Sequence, residues 1–186
     1  MLGPSPGRGN GADRYLFNIS SIRVRKMSKL THVNQLLADF GRQLTLNDLS
    51  IGEETNSCLL VFEDDIVLNI EYDDVQERLV FSVYLGEIPD TGCEPLLREL
   101  LAANLYWHRT RGATLSLETG TNGIILAYAH TLVGLDTAAL ATIVENLVAE
   151  AESWRARIRE RADGAQASNA SQPAADGVNH AQIIFG

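Results

Sequence analysis

Histidine and acidic side chains are the groups in this sequence that could hold a metal ion. The histidines lie in unrelated segments and show no His-x-x-x-His or Cys/His ligand spacing, so solvated or hydrogen-bonded structural roles are favoured. The acidic runs Glu63-Asp64-Asp65 and Asp73-Asp74 fall in predicted hairpin turns and lack the calcium-loop pattern. We therefore expect no metal site and no cofactor. The four histidines are His32, His108, His130 and His180.

The sequence also gives little support for a nucleophilic catalytic residue. Cys58 lies in a predicted strand, and Cys93 lies at a helix start, where the helix dipole can lower the pKa of a thiol. A cysteine nucleophile also needs a base and an orienting group, and none can be assigned. The segment Gly120–Gly123 is a turn rather than a phosphate site, because a strand and no P-loop lysine follows it. We expect no enzyme, although a small enzyme or ligand-binding domain built on Cys93, His108 and the acidic turns remains an alternative.

Composition limits the class of protein further. The chain has 186 residues, 45% of them hydrophobic, and a formal net charge of −9. That hydrophobic content supports a folded core and excludes general disorder. The acidic balance argues against nucleic acid as the main partner. No apolar run approaches the roughly 18–20 residues that span a bilayer, so we expect no membrane association. Two cysteines are too few for a secreted disulfide scaffold, which favours the cytoplasm.

Charge and composition divide the chain into three parts. Residues 1–26 carry five basic groups and one acidic group, residues 27–160 carry 9 and 21, and residues 161–186 carry one and two. We interpret 1–26 as a flexible basic leader, because Gly and Pro dominate its beginning. Regular pattern begins just after Met27, and we expect Met27 to be an alternative or true translation start. Residues 27–160 are the folded domain, and residues 161–186, rich in Ala, Ser, Gln and Asn, are interpreted as a flexible tail.

Apolar periodicity predicts eight regular elements. Spacing of three and four residues indicates helices, alternation indicates strands, and Asn122-Gly123 is a strong hairpin signal. Asp136 is a suitable N-cap for the last helix. The resulting order, α-βββ-α-ββ-α, predicts an α+β sandwich with an antiparallel sheet and segregated helices. The segments are a helix over 30–44, strands over 58–62, 66–72 and 79–85, a helix that has Pro95 in its first turn and leucines from 96 to 105, strands over 113–118 and 124–129, and a helix capped by Asp136 with apolar residues from 140 to 158.

The predicted elements carry more apolar surface than one side of a sheet needs. The first strand is apolar on both faces, with Leu59 and Val61 opposing Leu60 and Phe62. Four leucines at positions 96, 97, 100 and 101 spread over more of the helix circumference than a one-sided cover requires. Packing inside a monomer is one explanation. We favour a binding surface on the sheet and a twofold dimer through the second helix.

From Leu30 to Ile158, about 130 residues, the chain resembles the Tir chaperone (CesT-like) family of type III secretion chaperones. The order of elements is that of the family. The segment 96–105 is similar to the leucine-rich second helix of the family, and 112–117 with 124–126 is similar to its late hairpin. Leu135-Asp136, followed by apolar residues as far as Trp154, is similar to its last helix.

The resemblance implies a homodimeric, cytoplasmic bacterial chaperone that is not an enzyme. Its client would be a secreted effector, held by an extended N-terminal segment and kept soluble, and secretion-apparatus components are further implied partners. A regulator of the same fold, acting on a transcription or secretion factor, remains an alternative. The implied dimer-interface residues are Leu97, Leu100, Leu101 and Leu105. The implied effector-binding residues are Val33, Leu36, Leu60, Phe62, Val67, Val80 and Tyr84.

Overall fold

A computed structural model describes residues 29–52 and 54–170. The predicted leader, 1–26, and the predicted tail from residue 171 onward lie outside the described residues. The order α-βββ-α-ββ-α is confirmed. Two single-turn 3-10 helices, Glu63–Asp65 and Leu105–Trp107, are added to it. The helices are α1 (29–43), α2 (Glu94–Ala103) and α3 (Thr137–Ala170).

The five strands form one antiparallel sheet in the order β1-β2-β3-β5-β4. The strands β1 and β4 are therefore its two edges, and β3 is its centre. A four-residue turn joins β2 to β3, and Asp73 at the end of β2 accepts hydrogen bonds from the N–H groups of Val75 and Gln76 in that turn. The strands are β1 (Ser57–Val61), β2 (Val67–Asp73), β3 (Arg78–Glu87), β4 (Thr114–Glu118) and β5 (Gly123–Thr131).

The core lies between one face of the sheet and the helices. Strand register aligns Leu60, Leu68, Val83, Leu126 and Leu115 in one row across all five strands, and all five side chains are buried. The apolar sides of the helices pack into the same cluster. Within the described residues, the helices contribute to this inner face, and the outer face of the sheet keeps exposed apolar side chains at the β1 edge. The helical members of the core include Val33, Leu37 and Phe40 of α1, Leu96 and Leu100 of α2, and Leu140, Val144, Leu147 and Trp154 of α3.

The last helix begins where the sequence predicts and ends later. Asp136 caps it, since its carboxylate accepts a hydrogen bond from the N–H of Ala139 at 2.8 Å. The helix then continues to Ala170, so the first ten residues of the predicted flexible tail are helical. Ile158, just before this extension, is buried in the core. The helix therefore continues ten residues past the boundary predicted at residue 160.

Candidate protein-binding surfaces

The outward side of β1 is set by its pairing with β2. Leu60 pairs with buried Leu68, whereas Val61 pairs with Val67 on the opposite face. Because side chains alternate along a strand, Leu60 enters the core at 4% exposure, and Val61 points outward at 71%. Leu59, on the same face as Val61, is 62% exposed. The apolar surface offered by β1 is therefore the face of Leu59 and Val61.

These side chains continue into a larger surface. Val61 pairs with Val67, and the register of β2 against β3 brings Tyr84 next in the same row. The Tyr84 ring is held on the surface by two contacts. Its hydroxyl lies 3.3 Å from the Glu87 carboxylate. The ring also packs over Gly123, where a Cβ atom would lie only 2.9 Å from it. We call the exposed set Leu59, Val61, Val67 and Tyr84 the edge patch.

The backbone of the edge patch is also available for pairing. Phe62 donates its N–H to Ile66, so the even-numbered residues of this segment bond toward β2. The N–H and C=O groups of Leu59 and Val61 consequently face the free side of the sheet. At the start of the strand, Ser57 is already covered, since its carbonyl accepts a hydrogen bond from the Gly52 N–H. The open part of this edge is short and lies beside the exposed Leu59 and Val61 side chains.

The predicted effector-binding residues divide into three groups. Val67 and Tyr84 are exposed in the edge patch, and Val80 is half-buried on the same face. Val33, Leu36 and Leu60 are buried in the core, with 0%, 7% and 4% of their surface exposed. Side chains with so little accessible surface have little area to offer a partner. Leu59 and Val61 are exposed apolar residues of β1 that the prediction did not include.

Phe62 lies at a different surface, a cleft between the end of α1 and the middle of α3. The cleft has a volume of about 480 Å³. Its floor is apolar, and Glu145 and Glu152 stand at its α3 side. It can therefore accept an apolar segment that carries basic residues. The principal apolar lining residues are Phe40, Leu44, Phe62, Val144 and Val148.

A second exposed apolar surface follows α2. Leu101 is 72% exposed, and Leu105, Tyr106 and Trp107 are exposed with it. We call these four residues the helix patch. Of the predicted dimer-interface residues, Leu101 and Leu105 belong to it, Leu97 is half-buried, and Leu100 is buried in the core. Leu100 lies on the inward face of α2 and is therefore a core residue in this structure.

The helix patch is held in a fixed shape by an unusual turn. Tyr106 and Trp107 adopt φ values of 56° and 54°, in the left-handed region that non-glycine residues rarely occupy. The Trp107 indole N–H lies 3.3 Å from the Thr114 hydroxyl, which anchors the ring beside β4. Such a conformation costs on the order of 1–3 kcal/mol at each residue, and it persists only where surrounding contacts offset that cost. The turn thus presents two aromatic side chains outward.

The β4 edge is closed at its centre by one side chain. The Asn104 amide oxygen accepts a hydrogen bond from the Leu115 N–H at 2.8 Å, and its NH₂ group donates to the Leu115 carbonyl at 2.9 Å. The amide thereby takes the place that a neighbouring strand would occupy. Of the two sheet edges, β4 is blocked at Leu115, whereas no described residue bonds to the free side of β1 at Leu59 and Val61.

A charged cluster joins α2 to α3. Glu99 is bonded by Arg109, Arg157 and Arg161 at 3.0–3.4 Å, and two of these arginines stack on the buried Trp154 ring. Partial burial alone would raise the pKa of Glu99. The hydrogen bonds and charges of Arg161 and Arg109 outweigh burial and hold that pKa below its ordinary value of 4.5.

The groups with chemical reactivity are separated by the fold. Cys93 precedes α2 and His108 follows it, so the length of that helix lies between them. The two acidic turns stand at opposite ends of β2. Burial raises the pKa of the Cys58 thiol to about 11, which keeps it protonated at neutral pH. No group of three potential ligands that could hold a metal ion occurs in the described residues.

Comparisons with known proteins agree with this architecture. The model of the Tir chaperone protein (CesT) family matches residues 35–155. The transcriptional anti-antiactivator ExsC of Pseudomonas aeruginosa is 29% identical over 133 residues, covering 69% of this chain and 87% of ExsC. Among the helices of the described residues, none is long and apolar enough to cross a membrane.

Solved structures share the fold at low sequence identity. The ExsC–ExsE complex matches with a TM-score of 0.59 and 24% identity over 68% of this chain and 92% of that chain. The HopA1–SchA chaperone–effector complex matches with a TM-score of 0.59 and 23% identity, covering 69% and 96% of the two chains. The ExoU–SpcU complex of the Pseudomonas aeruginosa type III secretion system matches with a TM-score of 0.51 and 17% identity, covering 69% and 96%. The predicted α+β chaperone-like fold is confirmed.

Proposed function

We propose, from the fact that the chain belongs to the Tir chaperone protein (CesT) family, that it is a type III secretion chaperone of the bacterial cytoplasm. Its client is a secreted effector, whose N-terminal segment it holds in extended form and keeps soluble. Binding and release, rather than catalysis, are its activity. The observation that supports this proposal is the edge of β1, where Leu59 and Val61 are exposed and, within the described part of the chain, no residue bonds to their free side.

The client would add a strand to β1. Main-chain hydrogen bonds to Leu59 and Val61 contribute about 0.5–1.5 kcal/mol each and do not depend on the client sequence. The edge patch then covers apolar client side chains, and the cleft at Phe62 accepts a further segment. Glu145 and Glu152 beside that cleft favour a client with basic residues.

The helix patch would form a homodimer interface. Its four large side chains are exposed together, and burying each in a partner yields roughly 1.5–3 kcal/mol. A self-complementary twofold contact covers two such patches at once. The edge patch lies at the opposite edge of the sheet from β4, so a dimer through the helix patch leaves both β1 edges available.

The proposal is tested by purifying the tagged full chain from its native bacterium and identifying co-eluting proteins by mass spectrometry. We expect a secreted protein whose N-terminal segment gains hydrogen-exchange protection in the complex. The Val61→Asp variant should lose this protein, whereas the Val75→Asp variant, changed at an exposed valine in the β2–β3 turn, should retain it. Equal recovery with both variants would contradict the assignment of the edge patch.

A second candidate function is favoured by the similarity to ExsC, a protein named as a transcriptional anti-antiactivator. In that case the same surfaces would bind a regulatory protein instead of, or in exchange for, a secreted one. The purification distinguishes the two functions. A co-eluting regulator that the secreted client displaces would establish the regulatory role.

A further inference from the structure

We propose that the arginine cluster between α2 and α3 is a docking surface for an acidic segment of a partner protein. The cluster consists of Arg109, Arg157 and Arg161 around Glu99. This role goes beyond client binding, because a different surface with a different chemistry binds a second protein. Three observations support it: the local charge, the geometry of the arginine donors, and the position of the cluster in the fold.

The cluster is basic in a chain that is acidic. The whole chain has a net charge of −9, whereas residues 155–161 contain four arginines and one glutamate. In the cluster, three guanidinium groups surround Glu99, and Glu160 stands beside them in the same cleft. Three positive groups against two negative ones leave one positive charge uncompensated. A surface of this sign attracts an acidic segment.

The positive groups of the cluster are accessible, and the carboxylate between them is largely covered. The side chains of Arg109, Arg157 and Arg161 are 47%, 43% and 52% exposed, whereas that of Glu99 is 17% exposed. A cleft of about 420 Å³ opens at this place, lined by Glu99, Arg157, Glu160 and Arg161. A partner that approaches the cleft therefore meets guanidinium groups before it meets Glu99.

Two of the arginines bind Glu99 weakly and have further donors for a ligand. Arg157 reaches Glu99 through Nη1 and Arg109 reaches it through Nη2, both at 3.4 Å. A strong charge-assisted hydrogen bond is shorter, at about 2.7–2.9 Å. The Nε–Nη2 edge of Arg157, which can bind a carboxylate with two parallel hydrogen bonds, is not used on Glu99. A second carboxylate can therefore bind beside Glu99.

The two carboxylates of the cleft favour a peptide over a nucleic acid. Glu99 and Glu160 repel a continuous row of phosphates, and the net charge of the whole chain opposes a long polyanion. An acidic peptide can instead bring separate carboxylates to Arg109 and Arg157 and place neutral residues beside Glu160. The ligand chemistry that fits this site is therefore a protein segment with spaced acidic residues.

The cluster is separate from the edge patch and from the helix patch. It lies beside α2, which packs against β4, whereas the edge patch lies at β1, the opposite edge of the sheet. Glu99 and Leu101 are two residues apart on α2, which places them about 200° from one another around the helix. They face different sides of α2, so a dimer through the helix patch leaves the cluster accessible. A client and an acidic partner can therefore bind at the same time.

The test measures binding of a short rhodamine-labelled peptide of alternating Glu and Ser to the full-length protein at low salt, by fluorescence anisotropy. The same peptide with Gln in place of Glu should not bind. In the Arg157→Gln/Arg161→Gln variant we expect the Kd for the Glu peptide to rise about tenfold. The matched control, Arg42→Gln/Arg98→Gln, removes the same charge from exposed arginines that pair within their own helices, and should bind as the unmodified protein does.

A change of opposite sign tests the same site through a gain of binding. Glu99→Gln removes the carboxylate that competes with the peptide for the arginines, and should bind the peptide about three to ten times more tightly. Glu94→Gln makes the same change of charge at an exposed pair with Arg98, and should leave the affinity unchanged. Because a poorly folded variant would lose binding, tighter binding by Glu99→Gln cannot result from damage to the fold.

Each of four results would overturn the proposal. The first is no preference of the unmodified protein for the Glu peptide over the Gln peptide up to about 1 mM. The second is equal affinity in the unmodified and Arg157→Gln/Arg161→Gln proteins, and the third is an equal effect of Glu99→Gln and Glu94→Gln. The fourth is displacement of the peptide by inorganic phosphate or single-stranded DNA at a lower concentration than by unlabelled Glu peptide, which would indicate a phosphate site. None of these measurements involves a client, so they are independent of the proposed chaperone function.

Discussion

Glu99 on α2 accepts two hydrogen bonds from the guanidinium group of Arg161 on α3, at 3.2 Å and 3.0 Å, although the two residues are 62 positions apart. Both bonds go to one carboxylate oxygen, Oε2, and they hold α2 against the late part of α3, beyond the end of the family match at residue 155. Since α2 carries Leu101, the contact also fixes the direction in which the helix patch faces. The extension of α3 therefore serves the surface that we assign to dimerisation.

Replacing Glu99 with glutamine should lower the free energy of unfolding by roughly 1 kcal/mol at neutral pH, because three arginines lose their shared carboxylate. The matched control is Glu94→Gln, which removes an exposed pair with Arg98 within one helix. We expect that control to change stability by less than about 0.5 kcal/mol. Chemical denaturation of both variants measures the difference, and equal effects would contradict a special role for Glu99.

Acid should weaken the same cluster. The pKa of Glu99 is lower in the folded protein than its ordinary value of 4.5, so its stabilising effect is complete above that value and is lost as the pH falls through the folded pKa. The unmodified protein should therefore lose more of its stability than Glu99→Gln when the pH is lowered below about 4.5. Parallel denaturation curves measured down the acid range would give this difference. Identical pH dependence would show that Glu99 does not titrate with folding.

Introducing a charge at Leu101 should dissociate the proposed dimer. In a twofold dimer the Leu101→Asp substitution is present in both subunits, so two buried leucines are lost. Each loss costs roughly 1.5–3 kcal/mol, and together they raise the dimer Kd at least about 100-fold. Val133→Asp makes the same kind of change at an exposed apolar residue outside the helix patch. Light scattering should report a monomer for the first variant and a dimer for the second. A dimer in both would remove Leu101 from the interface.

The two faces of β1 should respond differently to truncation. Leu60→Ala opens a cavity in the core and should cost about 2–4 kcal/mol of unfolding free energy. Val61→Ala removes an exposed side chain and should change stability by less than about 0.5 kcal/mol while reducing client affinity. Thermal unfolding and client capture, measured on the same two variants, test this. If Leu60→Ala weakened capture without loss of stability, the assignment of the faces would be reversed.

Phe62 should contribute to client binding through the cleft rather than through the edge patch. We expect Phe62→Ala to reduce client affinity about tenfold, which corresponds to about 1.4 kcal/mol, with the secondary structure retained. Val75→Ala, at an exposed turn position, is the control. Titration calorimetry with the identified client measures both. Unchanged affinity for Phe62→Ala would exclude the cleft as a client site.

The order of elements could be predicted because each has a clear apolar period, and Asp136 and Asn122-Gly123 mark their ends. The face of β1 could not be predicted in this way. Leu59, Leu60, Val61 and Phe62 are all apolar, so alternation carries no information there, and only pairing with β2 decides which side is buried. The sequence signal that would have helped is the neighbouring strand, in which Leu68 alternates with polar Asn69.

Interactions between segments that are distant in the chain could not be predicted from the sequence either. The composition of residues 161–170 is typical of a flexible extension, yet these residues continue α3, which is held by Glu99 and by buried Ile158. Neither contact follows from local sequence. Leu100 and Leu101 are likewise indistinguishable by type, and their separation into core and surface depends on which face of α2 packs into the core.

The Asn104 amide has a consequence for how this protein behaves at high concentration. A sheet with two unpaired edge strands can pair with further copies of itself edge to edge, and such an assembly can grow without closing. In this sheet the Asn104 amide already bonds the N–H and C=O groups of Leu115 on β4. The β4 strand of one molecule therefore cannot pair at Leu115 with the β1 strand of the next. Pairing through the centre of β4 is blocked by this one side chain, whereas no described residue bonds to the free side of β1 at Leu59 and Val61, where we propose that the client binds.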